Sequence, residues 1–192
     1  MQAARGAPVA AGDAADPTPA PQVSRAPAWR PFVLVAVVMY VVDVVTKVVA
    51  IDRLSGRDDV EVVGELLQLH LTRNAGAAFS TGTQYTVVLT CIAMVAVVVV
   101  VWLSTRVRNT VWAVALGFLL AGVAGNLTDR MVRDPGPFRG HVIDFLMLPN
   151  WPVFNVADIC INIAAGLILV QAFRGVRMDG TRTDGRRGDR AE

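Results

Sequence analysis

Four long apolar stretches constrain this chain more than any other feature of its sequence. A helix needs about 20 residues to cross the roughly 30 Å of hydrocarbon in a bilayer, and each stretch is close to that length. With 54% hydrophobic residues and a mean hydropathy of +0.48, the chain of 192 residues is also more apolar than a soluble domain of its size. We therefore predict a membrane all-α fold, a four-transmembrane-helix bundle with spans at Pro31–Ile51, Tyr85–Leu103, Thr110–Leu127 and Trp151–Phe173.

The first apolar stretch is interpreted as a retained helix and not as a signal peptide. Residues 1–30 precede it, and its apolar run exceeds the roughly 7–15 residues of a signal-peptide core. No small-residue cleavage site follows it at Ile51-Asp52-Arg53. The net charge of +2 is too small to suggest a nucleic-acid partner. Cys91 and Cys160 lie inside apolar stretches, and we assign them no chemistry.

The two ends of the chain are predicted to be disordered tails. Residues 1–28 are rich in Ala and Pro, and residues 174–192 are rich in Arg, Gly and Asp, so neither segment buries enough apolar surface to fold. The folded membrane domain is then residues 29–173. The terminal segments and the turn Ser104–Asn109 carry 11 Lys and Arg, against 6 in the two other loops. The positive-inside rule therefore predicts that both termini are cytoplasmic.

The two remaining connections lie on the outer side in this topology. Leu67–Thr72 alternates apolar and polar residues, which is typical of a half-buried strand. We predict a small extracytoplasmic β element at about residues 60–82, between helices 1 and 2, on the outer membrane surface.

The connection Asp129–Asn150 contains Asp134-Pro135-Gly136-Pro137, a turn signal, because proline fixes φ and glycine accepts a positive φ. It is predicted to be an outer loop that acts as a lid.

Polar residues of the apolar stretches are concentrated in their outer halves. An ionisable residue in a transmembrane helix costs at least about 2.5–3.5 kcal/mol, so each one needs a partner or a function. The inner halves of the four stretches carry no charged residue, which predicts that the polar groups converge on one pocket in the outer leaflet. Residues three or four apart share a helix face. Three helices then each offer a polar stripe: Asp43 with Lys47; Asn126 with Asp129 and Arg130; Asn155 with Asp158 and Asn162.

Most of these residues also have a purely structural interpretation. Asp43 and Lys47 are spaced as an intrahelical ion pair. Arg130 is placed to extend toward lipid headgroups, and Asn126 to hydrogen-bond between closely packed helices. Asn162 is interpreted as structural.

Asp158 favours a functional interpretation, because no cation lies within a turn of it along the chain. The only histidines are His70 and His141, and we predict neither a Ser-His, Ser-Lys or Cys-His set nor a metal site. Two carboxyls in a low dielectric share one proton, so the ionised member activates water while the other polarises a carbonyl or protonates the leaving nitrogen. Composition and spacing leave four candidates for such a pair: Asp43, Asp129, Asp144 and Asp158.

Four segments, in this order, together resemble bacterial lipoprotein signal peptidase, or signal peptidase II: Asn74–Phe79, Gly125–Arg130, Val142–Phe145 and Phe154–Asp158. The resemblance covers residues 30–173. It implies an aspartic endopeptidase that removes signal peptides from prolipoproteins, cutting on the amino side of a diacylglyceryl-modified cysteine. It also implies a multi-pass protein of the bacterial plasma membrane with its active site on the extracytoplasmic side.

The resemblance also implies which residues form the site. The catalytic carboxyls match Asp144, in the outer loop before helix 4, and Asp158, near the top of helix 4. Diacylglyceryl-prolipoproteins and membrane lipids would be the partners, globomycin-type peptides the inhibitors, and the enzyme a monomer without cofactor or metal. The segment Arg133–Arg139 is longer than the family pattern. Site-lining and surrounding polar positions match Asn126, Arg130, Asn155, Asn74 in the family's β-cradle, Asp43, Lys47 and Asp129.

Two other classes of protein use intramembrane carboxyls. A small transporter or proton-relay protein also carries them along an ion pathway. Such a relay needs polar groups across the whole membrane, whereas the inner halves of these stretches are apolar. A non-catalytic assembly or lipid-binding protein would use the aspartates only to hold helices together.

Overall fold

The structure is a computed structural model, which describes residues 28–76 and 85–182. The predicted tails at 1–27 and 183–192, and the end of the predicted β element at 77–84, lie outside the described residues. The helices are α1 (Trp29–Leu54), α2 (Thr86–Ser104), α3 (Thr110–Val132) and α4 (Val156–Phe173). The strands are β1 (Val60–Val63), β2 (Leu67–Asn74) and β3 (Val142–Met147).

Each of the four helices is long and apolar enough to cross a membrane, which confirms the predicted bundle. α3 lies at its centre and packs against the other three helices. Small residues allow this close approach. A Cβ on Gly117 would lie 2.8 Å from the Phe32 carbonyl oxygen on α1, and one on Gly122 would collide with the Ala157 carbonyl on α4. The bundle therefore brings the polar stripes of α1, α3 and α4 together.

The three strands form one antiparallel sheet in the order β1-β2-β3. β1 and β2 come from the predicted place between α1 and α2, but β3 comes from the connection between α3 and α4. Asp144 therefore lies on a strand, opposite Thr72 of β2, and its predicted place in a loop is wrong. β3 is buried and nearly all apolar, so it lacks the alternation that identifies a half-buried strand.

α4 begins five residues later than predicted, at Val156 instead of Trp151. The backbone of Phe154 is bonded to Leu146 of β3, with Phe154 N donating to the Leu146 carbonyl at 2.9 Å, so this segment is extended. Asp158 consequently lies in the first turn of α4, not two turns inside a helix that starts at Trp151.

The connection at residues 133–141, the α3–β3 loop, folds back onto the end of α3. Gly140 N donates to the Arg130 carbonyl at 3.1 Å and His141 N to the Asp134 carbonyl at 3.0 Å. From α2, Thr90 Oγ1 donates to the Phe138 carbonyl at 2.9 Å. These contacts show that the connection is folded against α3 and α2, whereas its outer position and its role as a lid stay predictions.

Residues 174–182 are folded, although the sequence predicted a disordered tail from residue 174. The Arg108 and Asn109 amides both donate to the Met178 carbonyl, at 2.9 and 3.1 Å, and Trp112 Nε1 donates to the Val176 carbonyl at 2.9 Å. Met178 packs against the apolar cluster at this end of the bundle. The composition of the segment does not reveal this, because backbone carbonyls and the single apolar side chain of Met178 provide these contacts. We call residues 174–182 the C-terminal clasp.

Candidate active site

The predicted site residues converge at the end of the bundle that carries the sheet, which we call the sheet end. Hydrogen bonds and ion pairs join eight of them into one network, described below. The ninth, Arg130, lies half-buried beside it, and its guanidinium interacts electrostatically with Asp144, Asp129 and Asp158. Arg130 Nη1 is buried and has no hydrogen-bond partner within residues 28–76 and 85–182.

Lys47 is the central cation of the network, and its side chain is 1% exposed. Its Nζ contacts Asp43 Oδ2 at 2.8 Å, Asp129 Oδ2 at 2.9 Å and Asn126 Oδ1 at 2.9 Å. Arg133 Nε forms a second ion pair with Asp129 Oδ1. Two cations thus face two carboxylates, which offsets the cost of burying each charge. Sequence reasoning missed Arg133, although its spacing of four residues from Asp129 indicates the pair.

The amino end of α4 is held by three side chains. Asp43 Oδ1 accepts a hydrogen bond from Ala157 N at 2.8 Å. Asn155 Oδ1 accepts one from Asp158 N at 3.0 Å. Asp158 Oδ2 accepts from Asn155 N at 3.1 Å, which completes a capping box. Asp158 therefore lies in the first turn of α4, at the positive end of the helix dipole. The spacing Asn155-x-x-Asp158 is a local sequence signal for such a cap.

Asn155 contacts both candidate catalytic carboxyls. Its backbone N–H binds Asp158, and its side-chain Nδ2 donates to Asp144 Oδ1 at 2.6 Å. The same Nδ2 donates to Asn126 Oδ1 at 3.2 Å, and Asn126 Nδ2 donates to Asp158 Oδ1 at 2.9 Å. Because Lys47 also donates to Asn126 Oδ1, the orientation of both amides is fixed. Two asparagines therefore hold Asp144 and Asp158 in one arrangement.

Asn74, at the end of β2, fixes the second oxygen of Asp144. Its Nδ2 donates to Asp144 Oδ2 at 2.8 Å, and its own Oδ1 accepts from Gly76 N at 2.8 Å. The sheet thus contributes directly to the site. Both oxygens of Asp144 face amide donors, and the residue is 2% exposed.

A cavity of about 640 Å³ opens onto both carboxyls. Burial raises the pKa of Asp144 from 3.8 to about 6; the hydrogen bond from Asn74 opposes this shift, and the charge of Asp158 adds to it. The pair can therefore hold one proton near neutral pH. The cavity is lined by Asn74, Asp144, residues 151–154, Asp158, Ile159, Asn162 and Ile163.

Other groups capable of catalysis lie apart from this cavity. His70 pairs with Asp59 on the sheet at 2.5 Å, Cys160 is buried on α4 and Cys91 is exposed on α2. Over the described ranges, no three His, Cys, Asp or Glu side chains are grouped so as to hold a metal ion.

Comparison with known proteins gives a consistent result. The family model of signal peptidase (SPase) II matches residues 35–174. A lipoprotein signal peptidase of Mycobacterium bovis is 45% identical over 177 residues, which are 92% of this chain and 85% of the relative. One of Mycolicibacterium smegmatis is 42% identical over 188 residues, 94% of this chain and 79% of the relative. A solved bacterial membrane enzyme matches with a TM-score of 0.70 at 25% identity, over 79% of this chain and 97% of that chain.

Proposed function

We propose that Asp144 and Asp158 are the catalytic pair of this chain, which belongs to the signal peptidase II family and removes signal peptides from prolipoproteins. The observation that carries this assignment is Asn155, which binds both carboxyls at the edge of one cavity. Asp43 and Asp129, the other two candidates, are each ion-paired to Lys47 and absent from the cavity lining. Their role is to neutralise the buried cation and to hold α4.

The two aspartates take different parts in hydrolysis. Asp158 accepts hydrogen bonds from Asn126 Nδ2 and from the Asn155 backbone amide, which orient its carboxyl as the general base. It takes a proton from water as the water oxygen bonds to the scissile carbonyl carbon. Asp144, with its raised pKa, holds the shared proton and gives it to the leaving nitrogen as the C–N bond breaks. Each carboxyl oxygen has two lone pairs, so protonated Asp144 still accepts both amide hydrogens.

The leaving nitrogen belongs to the diacylglyceryl-modified cysteine that begins the mature lipoprotein. The apolar side chains of Ile159 and Ile163, beside the carboxyls, suit a substrate that stays in the membrane with its acyl chains between helices. Globomycin-type peptides would compete for the same cavity. The fold needs no second chain to complete the network, so we expect a monomer to be active.

The sheet end is proposed to face the extracytoplasmic side. The opposite end carries both termini and the turn Ser104–Asn109, where Lys and Arg are more frequent, as the positive-inside rule requires for a cytoplasmic face. Membrane potential and acidic inner-leaflet lipids favour the same orientation. Cysteine labelling of Asp59→Cys from outside intact cells would check it.

A transporter or proton relay does not account for the opposite half of the bundle. There Phe32, Val100, Trp112 and Leu116 pack into one apolar cluster, where a relay would need polar groups. The polar network lies at the sheet end, which suits hydrolysis at shallow depth.

The test is substitution of each carboxyl by its isosteric amide. Asp144→Asn and Asp158→Asn should each abolish cleavage of a lipidated prolipoprotein, because neither amide can shuttle the proton. Both variants should still accumulate in the membrane. The matched control is Asp59→Asn, an exposed aspartate just before β1 and outside the network, which should cleave at the wild-type rate. Near-normal cleavage by either Asp144→Asn or Asp158→Asn would refute the pair.

A further inference from the structure

Asn162 is an exposed polar residue on a membrane-spanning face, one helical turn beyond Asp158. It lines the cavity, and it shares its side of α4 with Asp158 because the two are four residues apart. An amide that is left in an apolar environment without a partner costs roughly 1–3 kcal/mol. Asn162 therefore needs a partner or a water-filled surrounding, and the cavity supplies the space for one.

The orientation of the Asn162 amide follows from its one hydrogen bond. Nδ2 donates to the Asp158 backbone carbonyl at 2.9 Å, and a carbonyl oxygen can only accept, so the nitrogen faces the helix. Oδ1 consequently faces away from the backbone of α4. It has no hydrogen-bond partner in the part of the chain that the structure describes. The cavity thus carries a free acceptor beside the candidate carboxyls.

A substrate that is cut inside a membrane needs such an acceptor. Its scissile peptide bond must leave the helical conformation to reach two carboxyls, and an extended backbone in hydrocarbon has unsatisfied N–H groups. Asn162 lies four residues along α4 from Asp158, or about 6 Å at about 1.5 Å per residue. An extended chain covers that distance in about two residues at about 3.3 Å each.

We propose that Asn162 Oδ1 accepts a hydrogen bond from a substrate backbone N–H about two residues on the amino-terminal side of the scissile bond. The proposal rests on the proposed function, since Asp158 marks where the bond is cut. The signal peptide lies deeper in the membrane than its cleavage point, which is the direction in which Asn162 is displaced. Asn162 would then hold the unwound segment in place while water attacks.

The experiment uses the full chain in lipid and a lipidated prolipoprotein peptide in which single backbone amides are replaced by esters. Asn162→Leu should raise KM about tenfold with little change in kcat, because the hydrogen bond is present in both bound substrate and transition state. With the ester two residues before the scissile bond, wild type and Asn162→Leu should have equal kcat/KM. An ester on the mature side should leave the tenfold difference intact.

Two variants serve as controls. Asn162→Thr should stay close to wild type, because its hydroxyl can donate to the Asp158 carbonyl and still offer lone pairs to the cavity. Leu169→Ile, a volume-conserving change at an exposed position of α4 outside the cavity lining, should also be near wild type. An Asn162→Leu effect that no ester removes, or a loss of kcat at unchanged KM, would mean a structural role and overturn the proposal.

The outcomes separate this proposal from the proposed function. If Asp144→Asn and Asp158→Asn are inactive while Asn162→Leu cleaves normally, only the role of Asn162 is wrong. If the aspartate variants cleave, the catalytic pair is wrong, and the position of Asn162 relative to the scissile bond is wrong with it.

Discussion

Burial and two hydrogen-bond donors change the pKa of Asp144 in opposite directions. Asn74 and Asn155 favour the ionised form, but burial outweighs them and raises the pKa of Asp144 to about 6. The folded state therefore binds more protons than the unfolded state between pH 3.8 and about 6. Stability contributed by this group is present below that window and lost as the pH rises through it.

Asp144→Asn removes this pH dependence. The shift from 3.8 to about 6 corresponds to about 3 kcal/mol at roughly 1.36 kcal/mol per unit. The amide also loses a hydrogen bond to Asn74 or Asn155, but that loss is the same at every pH. Thermal unfolding in micelles should therefore show the Tm of the variant rising relative to wild type between pH 4 and pH 7. A Tm difference between Asp144→Asn and wild type that stays constant from pH 4 to pH 7 would contradict the raised pKa of Asp144.

At the scale of elements, the site depends on how closely α3 approaches α1 and α4. Gly125 of α3 lies where a Cβ would collide with Asp43 Oδ2, the carboxyl that both pairs with Lys47 and binds the Ala157 amide. The missing side chain thus permits a carboxylate of α1 to pass close to α3 and bond to the amino end of α4. A glycine within a helix usually costs about 1 kcal/mol relative to alanine, so this position is set by packing.

Gly125→Ala should destabilise the protein by about 1–3 kcal/mol, as overpacking of a core typically does. It should also lower cleavage, because Asp43 would be displaced from the amino end of α4 that carries Asp158. Melting temperature and cleavage rate measured together would check this. Gly166→Ala is the matched control, since a Cβ there meets nothing within 4 Å. It should be neutral or slightly stabilising, and equal behaviour of the two variants would argue against the tight approach.

At the scale of the whole molecule, the two ends of the bundle are stabilised in different ways. The sheet end is held by ion pairs and amides around Lys47, and the opposite end by an apolar cluster that the C-terminal clasp covers. Gln171 Nε2 adds a bond to Asn109 Oδ1 at 3.1 Å, which ties α4 to the N-cap of α3. The candidate active site and the apolar cluster are therefore at opposite ends of the same helices.

Ending the chain after Phe173 should lower the Tm without inactivating the folded enzyme. The Arg108, Asn109 and Trp112 donors lose their carbonyl partners, and Met178 no longer covers the cluster. The candidate carboxyls lie at the other end, so cleavage per folded molecule should be unchanged. Ending the chain after Arg182 keeps the clasp and should leave the Tm unaltered. A loss of Tm in both truncations, or in neither, would show that the clasp does not stabilise the bundle.

The sequence by itself determined the four spans and the gathering of the polar stripes at one end of the bundle. Both follow from local rules, since the length of an apolar run and the spacing of residues on a helix do not depend on distant parts of the chain. The capping box at Asn155 and Asp158 is also a local feature, because the two residues are three positions apart in the sequence. The nine expected site residues also lie together at the sheet end, although their chemical roles stay proposals.

Only the tertiary structure decided which carboxyls line one cavity. β3 pairs with β2 across more than a third of the chain, so the place of Asp144 opposite Thr72 depends on strand pairing that no local pattern encodes. Lys47 reaches Asp129 and Asn126 only because glycines bring α3 against α1. The position of Asn162 in the cavity lining, with only its Nδ2 hydrogen-bonded among the described residues, also follows from the folded structure and not from the sequence. Contacts between residues distant in sequence are set by packing, and packing separates Asp144 and Asp158 from the other two aspartates.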